Sequence, residues 1–140
     1  MSINELATGV YSYSQVASNF KTSINGRVYN VRAPQDPTYP FVIFFFPIDG
    51  ITHYFNEQAI GSNAILDIEL QFNIYSKNED ITEIGTIAGY LTDRFDFANL
   101  TVSGYECFSL SRTNKIPPMW MEEIQGYVSS VIYQVQLQKD

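Results

Sequence analysis

Ile65-Leu66-Asp67-Ile68-Glu69-Leu70-Gln71-Phe72-Asn73-Ile74-Tyr75 decides the fold. Leu66, Ile68, Leu70, Phe72 and Ile74 point one way; Asp67, Glu69, Gln71 and Asn73 point the other. Strict alternation of this kind specifies a strand buried on one face in an antiparallel setting. A slip of one residue would carry Asp67 and Glu69 into the core, so the register is strongly determined.

Downstream the period changes. Ser76-Lys77-Asn78-Glu79-Asp80 precedes a helical stripe of Ile81, Ile84, Ile87 or Ala88, Leu91 and Phe95. Asp80 with Glu83 forms a capping-box pattern, and acids in the first turn suit the helix dipole. Asp93-Arg94-Phe95-Asp96-Phe97 ends this helix. Leu100 to Ser111 reads as a strand kinked at Gly104, where alternation is lost. Pro117 and Pro118 are expected to break the chain before Met119-Trp120-Met121. In a last strand, Tyr127, Val131, Tyr133, Val135 and Leu137 line one face, opposite Ser130, Gln134, Gln136 and Gln138.

Upstream, Ile3, Leu6, Val10, Tyr13, Val16 or Ala17, Phe20 and Ile24 recur at helical spacing. Ser2 with Glu5 completes a second capping box, and Asn25-Gly26 accept the left-handed geometry that stops a helix. Arg27 to Arg32 is a short extended segment, and Ala33 to Pro40 is a proline-rich loop. Phe41 to Phe46, closed by Pro47, is apolar in both alternating sets, so both faces are expected to be covered. Asp49-Gly50 can turn the chain, Thr52 to Phe55 continues it, and Asn56 to Asn63 reads as a loop. The predicted fold is therefore α+β: a mostly antiparallel sheet of four to five strands with two helices on one face, in one domain over residues 1–140.

Composition narrows the function classes. The chain has 140 residues, 45% hydrophobic and 16% charged, which fits one folded domain and excludes general disorder. One Cys and one His exclude an intramolecular disulfide and a His/Cys zinc site. A net charge of −7 opposes ordinary duplex binding, which rests on cations neutralising phosphates. The start lacks a basic and apolar leader pattern, and the longest apolar run has six residues. A soluble product with no membrane association is expected.

No residue pattern supports catalysis. His53 sits beside no nucleophile, and an ordinary polar role at a strand edge is favoured. Cys107 falls in a strand interior as a small apolar filler. Asp67 and Glu69 show the spacing of any solvent-facing strand side and lack further oxygen ligands for a cation. Phosphate-cradling glycine loops, nucleophile elbows and dinucleotide fingerprints are absent from the sequence. Met119-Trp120-Met121 is the better clue, because Met and Trp are enriched where protein surfaces meet. A sheet rich in Tyr and poor in Lys is also expected to leave its edges unprotected.

Ile24 through Arg27-Val28-Tyr29 to Arg32-Ala33-Pro34-Gln35, followed by Tyr39-Pro40-Phe41-Val42-Ile43-Phe44, resembles the tail terminator (tail completion, or tail-to-head joining) proteins of long-tailed bacteriophages. The likeness extends over most of the chain but departs at the Pro117-Pro118-Met119-Trp120 loop. It implies a non-enzymatic virion protein without cofactor: a homohexameric ring, monomeric before assembly in some cases, that caps the tail tube and ends its polymerisation. The implied partners are further copies, the tail tube protein and a head-completion or connector protein, with DNA passing through the lumen unbound. The implied location is the head-proximal end of the tail, reached from the host cytoplasm. Expected contact residues are Met119, Trp120 and Met121, the loop Asn56 to Asn63 with Tyr54, Phe55, Asn56 and Glu57, and the free sheet edges. The alternatives are another virion ring component, of the head-completion or baseplate kind, and a small module holding a sugar or apolar ligand on its aromatic side chains.

Overall fold

The computed structural model describes residues 3–52, 65–78 and 80–139. In chain order the elements are α1 (Ile3–Ser14), α2 (Asn19–Ile24), β1 (Val28–Asn30), β2 (Phe41–Thr52), β3 (Ile65–Ser76), α3 (Thr82–Phe95), β4 (Thr101–Val102), β5 (Tyr105–Met121) and β6 (Gly126–Lys139). They form one sheet in the order β1-β2-β3-β6-β5-β4. Every pair is antiparallel except β1 with β2, which is parallel. The class remains α+β, but a mostly antiparallel sheet of four to five strands with two helices is wrong. The described residues form a mixed sheet of six strands and three helices.

Each departure has a local cause. The expected single N-terminal helix is broken after Ser14, whose buried hydroxyl donates to the Tyr11 carbonyl at 2.6 Å and competes with the helical ladder. Ser18 then starts α2 as an N-cap, accepting from the Lys21 N–H, and Asn25 ends it at φ 52° as expected. Gly104, at φ +80°, makes the two-residue turn between β4 and β5 and so creates an extra strand rather than a kink. Pro47 does not close β2, nor do Pro117 and Pro118 break β5. Phe46 and Pro47 together oppose Leu70, and the two prolines oppose Ser129, each within a β-bulge on an edge where no ladder donor is missed. Ser129 supports the second bulge by donating to the Ile116 carbonyl at 2.8 Å. The open edges of β2 and β5 are therefore protected by proline, contrary to the expectation from lysine content.

The core lies between the sheet and the helices. Leu66, Ile68, Leu70, Phe72 and Ile74 of β3 are buried there, beside Val131, Tyr133, Val135 and Leu137 of β6. α3 packs on β3, β5 and β6, while α1 touches both β1 and β4, so the sheet curls around its helices. Phe95 is the meeting point. Its ring lies 4.7 Å from Phe72, 5.2 Å from Tyr13, 6.1 Å from Phe20 and 6.4 Å from Tyr133, which joins all three helices to two strands. Arg94 adds a second tie, stacking on the Tyr13 ring and donating to the Tyr13 carbonyl at 3.1 Å near the α1 C-terminus.

At the α3 N-terminus Asp80 accepts from the Thr82 N–H at 2.9 Å, but Glu83 does not complete the box. It instead accepts from the buried Ser76 hydroxyl at 2.6 Å, which ties the helix to the end of β3. Phe95→Ala is expected to cost about 3–5 kcal/mol of unfolding free energy in a urea titration. A loss below about 1 kcal/mol would show that the three helices do not depend on this ring.

Candidate functional site

The two faces of the sheet differ. Among the described residues all helices lie on one, and the paired registers define the other as rows running across the strands. The first row is Phe41, Tyr75, Val128 and Met119; the next is Ile43, Asn73, Ser130 and Ile116; then come Phe45, Gln71, Ile132 and Asn114. Farther along are Glu69, Gln134 and Ser111, then Asp67, Gln136 and Ser109, and finally Gln138 and Glu106. This helix-free face thus grades from apolar to polar and acidic along the strands. Among the described residues it carries no Lys or Arg in these rows.

The apolar end is built by ring packing. Phe41 stacks on Tyr75 at 5.0 Å and meets Tyr39 at 4.9 Å and Tyr29 at 6.0 Å, with Lys77 over the Tyr39 ring. The polar end is held by side-chain amides. Ser130 donates to Asn73 Oδ1 at 2.7 Å, as does Gln71 at 2.9 Å, and Gln136 donates to Asp67 Oδ1 at 2.9 Å. Asp67 is therefore engaged with an amide and is not half of a carboxylate pair. No group of three or more His, Cys, Asp or Glu suited to a metal occurs among the described residues.

Met119-Trp120-Met121 is not one cluster. Met119, 59% exposed, ends the apolar row on the helix-free face. Trp120, 47% exposed, points to the other side and meets the Tyr127 ring edge-on at 5.2 Å. Met121 is half-buried opposite Gly126. A Cβ on Gly126 would overlap the Ser76 carbonyl, so this close approach fixes the base of the β5–β6 hairpin. His53, Tyr54, Phe55, Asn56, Glu57 and the whole expected loop Asn56 to Asn63 lie outside the described residues.

Cys107 and Tyr133 are in structural settings. Burial pushes the Cys107 thiol above its ordinary pKa, against the smaller opposing effect of the Leu100 and Ser109 backbone. Tyr133, fully buried, donates to Asp96 Oδ1 at 2.6 Å, and Asp96 Oδ2 lies 3.4 Å from the Arg112 guanidinium. This network locks the residue after α3 to β5 and β6. Phe44 is fully buried and Phe46 packs on the same core, so these rings fill the interior and do not line the ligand pocket of the alternative expectation.

Sequence reasoning missed two residues. Phe97 and Val31 are 85% and 67% exposed, with φ of 57° and 73°. Positive φ in a bulky or β-branched residue has no sequence signal, because the residue type itself argues against it.

No protein-family model matches the chain, and no curated protein sequence does. Solved structures do. A chain described as part of the virion of a native gene transfer agent (GTA) particle matches with a TM-score of 0.77 and 12% identity, over 95% of this chain and 94% of that one. A second solved chain matches with a TM-score of 0.68 and 11% identity, over 100% of this chain and 98% of its own. The superpositions, with TM-scores of 0.77 and 0.68, show a shared fold, and identity of 11–12% carries the likeness no further than the fold.

Burial, followed by the hydrogen bond and charge of Asp96, holds the Tyr133 hydroxyl above the ordinary tyrosine pKa of about 10. Its proton therefore stays on in the folded chain while the unfolded chain releases it above about pH 10, so this stabilisation is complete below that pH and falls as pH rises. In urea titrations above about pH 10, Tyr133→Phe is expected to reduce the downward slope of stability by about 1.4 kcal/mol per pH unit. An unchanged slope would detach the hydroxyl from the effect.

Proposed function

We propose that this chain is a structural virion protein of a phage-like particle, which caps the tail tube as a closed ring and presents the docking surface for the head. One observation carries this reading: the fold is shared over nearly the full length of both chains with a component of a gene transfer agent virion. The resemblance of Arg32-Ala33-Pro34-Gln35 and Tyr39-Pro40-Phe41-Val42 to tail terminators supports a place at the end of the tail in such a particle.

The surface chemistry supports it. Met119 and Trp120 are exposed on either side of the β5 edge, beside a bulge that keeps other strands from adding there. Such side chains favour contact with a neighbouring protein over solvent. In a ring of six copies, weak equal contacts act together on the tube end, so the whole binds far more tightly than any one contact. A helix-free face with Asp67 and Glu69 and no cation in its rows suits a lumen through which DNA slides, because a basic bore would hold the duplex. The partners are then further copies, the tube protein and a head-completion protein. The site of action is the head-proximal end of the tail, and assembly takes place in the host cytoplasm. Tyr54, Phe55, Asn56 and Glu57, with Met121, complete the proposed contact set.

Trp120→Ala tests the reading in assembling particles. The purified variant is expected to keep its thermal midpoint within a few degrees, since the side chain is half exposed. Electron microscopy of particles made with it should show separate heads and tails. Normal joined particles would remove Trp120 from the mechanism.

A further inference from the structure

The two most exposed large apolar side chains among the described residues are also conformationally strained. Val31 follows β1 and has φ 73°; Phe97 follows α3 and has φ 57°. Each is fixed by its own backbone: the Val31 N–H donates to the Phe44 carbonyl and the Phe97 N–H to the Leu110 carbonyl, at 2.9 and 3.0 Å. The Arg32 N–H also closes a three-residue turn onto the Asn30 carbonyl at 2.9 Å, a geometry that is costly for a β-branched residue. Strain held in place on an exposed apolar residue gains nothing for the isolated fold. It is the expected mark of a contact surface.

The two positions lie at opposite ends of the strand order, one beside β1 and the other beside β4 and β5. Their charged surroundings are complementary. Lys21, Arg27 and Arg32 flank β1 in the chain, and none is in an ion pair among the described residues. Arg27 is held by the Pro40 and Tyr39 carbonyls, so Lys21 and Arg32 are the cations that face outward there, with Asp36 the exposed acid on the loop that follows. Asp93 and Glu106 are exposed on the elements that flank Phe97, while Arg112 and Arg94 of the same elements are engaged, the first with Asp96 at 3.4 Å and the second with Tyr13, which leaves the edge acidic. A shallow cleft lined by Phe97, Cys107 and Leu110 lies at that second edge. On a chain of net charge −7, a grouping of cations at one edge directs a second copy to meet it with its acidic edge.

We propose that copies of this chain join head to tail, with Val31 and the cations beside β1 of one copy seated on the Phe97 cleft and the acids of the next. The contact is heterologous, so each subunit uses two different patches and repetition closes a ring. Proline at the bulges of β2 and β5 turns the contact away from strand addition and towards side-chain docking. This inference rests on the ring reading above and names the lateral contact within it.

Glycine substitution separates this role from a structural one, because it relieves positive φ while removing the side chain. Val31→Gly and Phe97→Gly are expected to unfold at the same or higher temperature than the wild type. Sedimentation velocity and electron microscopy of tube ends should show at least a tenfold loss of assembly for each variant alone. Mixed in equal amounts they retain one intact pair of patches, so association should stop at pairs and no ring should form. Variants that assemble like the wild type, or a mixture that closes rings on tube ends, would overturn the proposed contact while leaving the ring reading standing. A wild type that never self-associates, even on tube ends, would overturn both.

Discussion

Everything in this molecule depends on keeping one face of β3 dry. Burying Leu66, Ile68, Leu70, Phe72 and Ile74 contributes on the order of 10 kcal/mol, at about 1.5–3 kcal/mol for each side chain. A slip of one residue would forfeit this and bury Asp67 and Glu69, each at a cost of about several kcal/mol. The register is therefore fixed against β2 on one side and β6 on the other. Once it is fixed, all three helices must cover the same face, and Phe95 is where they meet it. The opposite face remains without helices, and its graded polarity follows directly from the same alternation.

The edges show how such a sheet remains specific. β1 covers β2 only at residues 42–44, and β4 covers β5 only at residues 105–106. The rest of each edge would invite strands of other chains, yet each carries proline at a bulge. Main-chain pairing with another copy is disfavoured there, while side-chain contact is not. Exposed Met119 and Trp120 near one such bulge, and strained Val31 and Phe97 at the ends of the strand order, are therefore more informative than the open ladder. Packed side chains can distinguish a cognate neighbour from any passing strand.

The parts legible in the sequence were those in which a single local signal dominates. β3, the buried stripe of α3 from Ile84 onward (Ile81 sits exposed at its N-cap), the inward face of β6 and the left-handed Asn25 cap were all readable in this way. The break between α1 and α2 was hidden because Phe20 and Ile24 keep the apolar stripe running across it. Proline misled twice, at Pro47 and at Pro117-Pro118, because its penalty vanishes on an edge and only the topology shows where the edges are. The parallel pairing of β1 with β2 joins segments across the proline loop and leaves no periodic trace. Met119 and Trp120 were read as a cluster, but neighbours on a strand face opposite ways. Cys107 was readable as an apolar filler; the strained φ of Val31 and Phe97 was not readable at all.

The most direct measurement of the central claim is an electron cryomicroscopy reconstruction of the intact particle at the junction of head and tail. The account predicts copies of this fold in a closed ring there, with the acidic, helix-free face of the sheet lining the channel. A particle in which this fold is absent from the junction, or present as isolated copies without lateral contact, would contradict it.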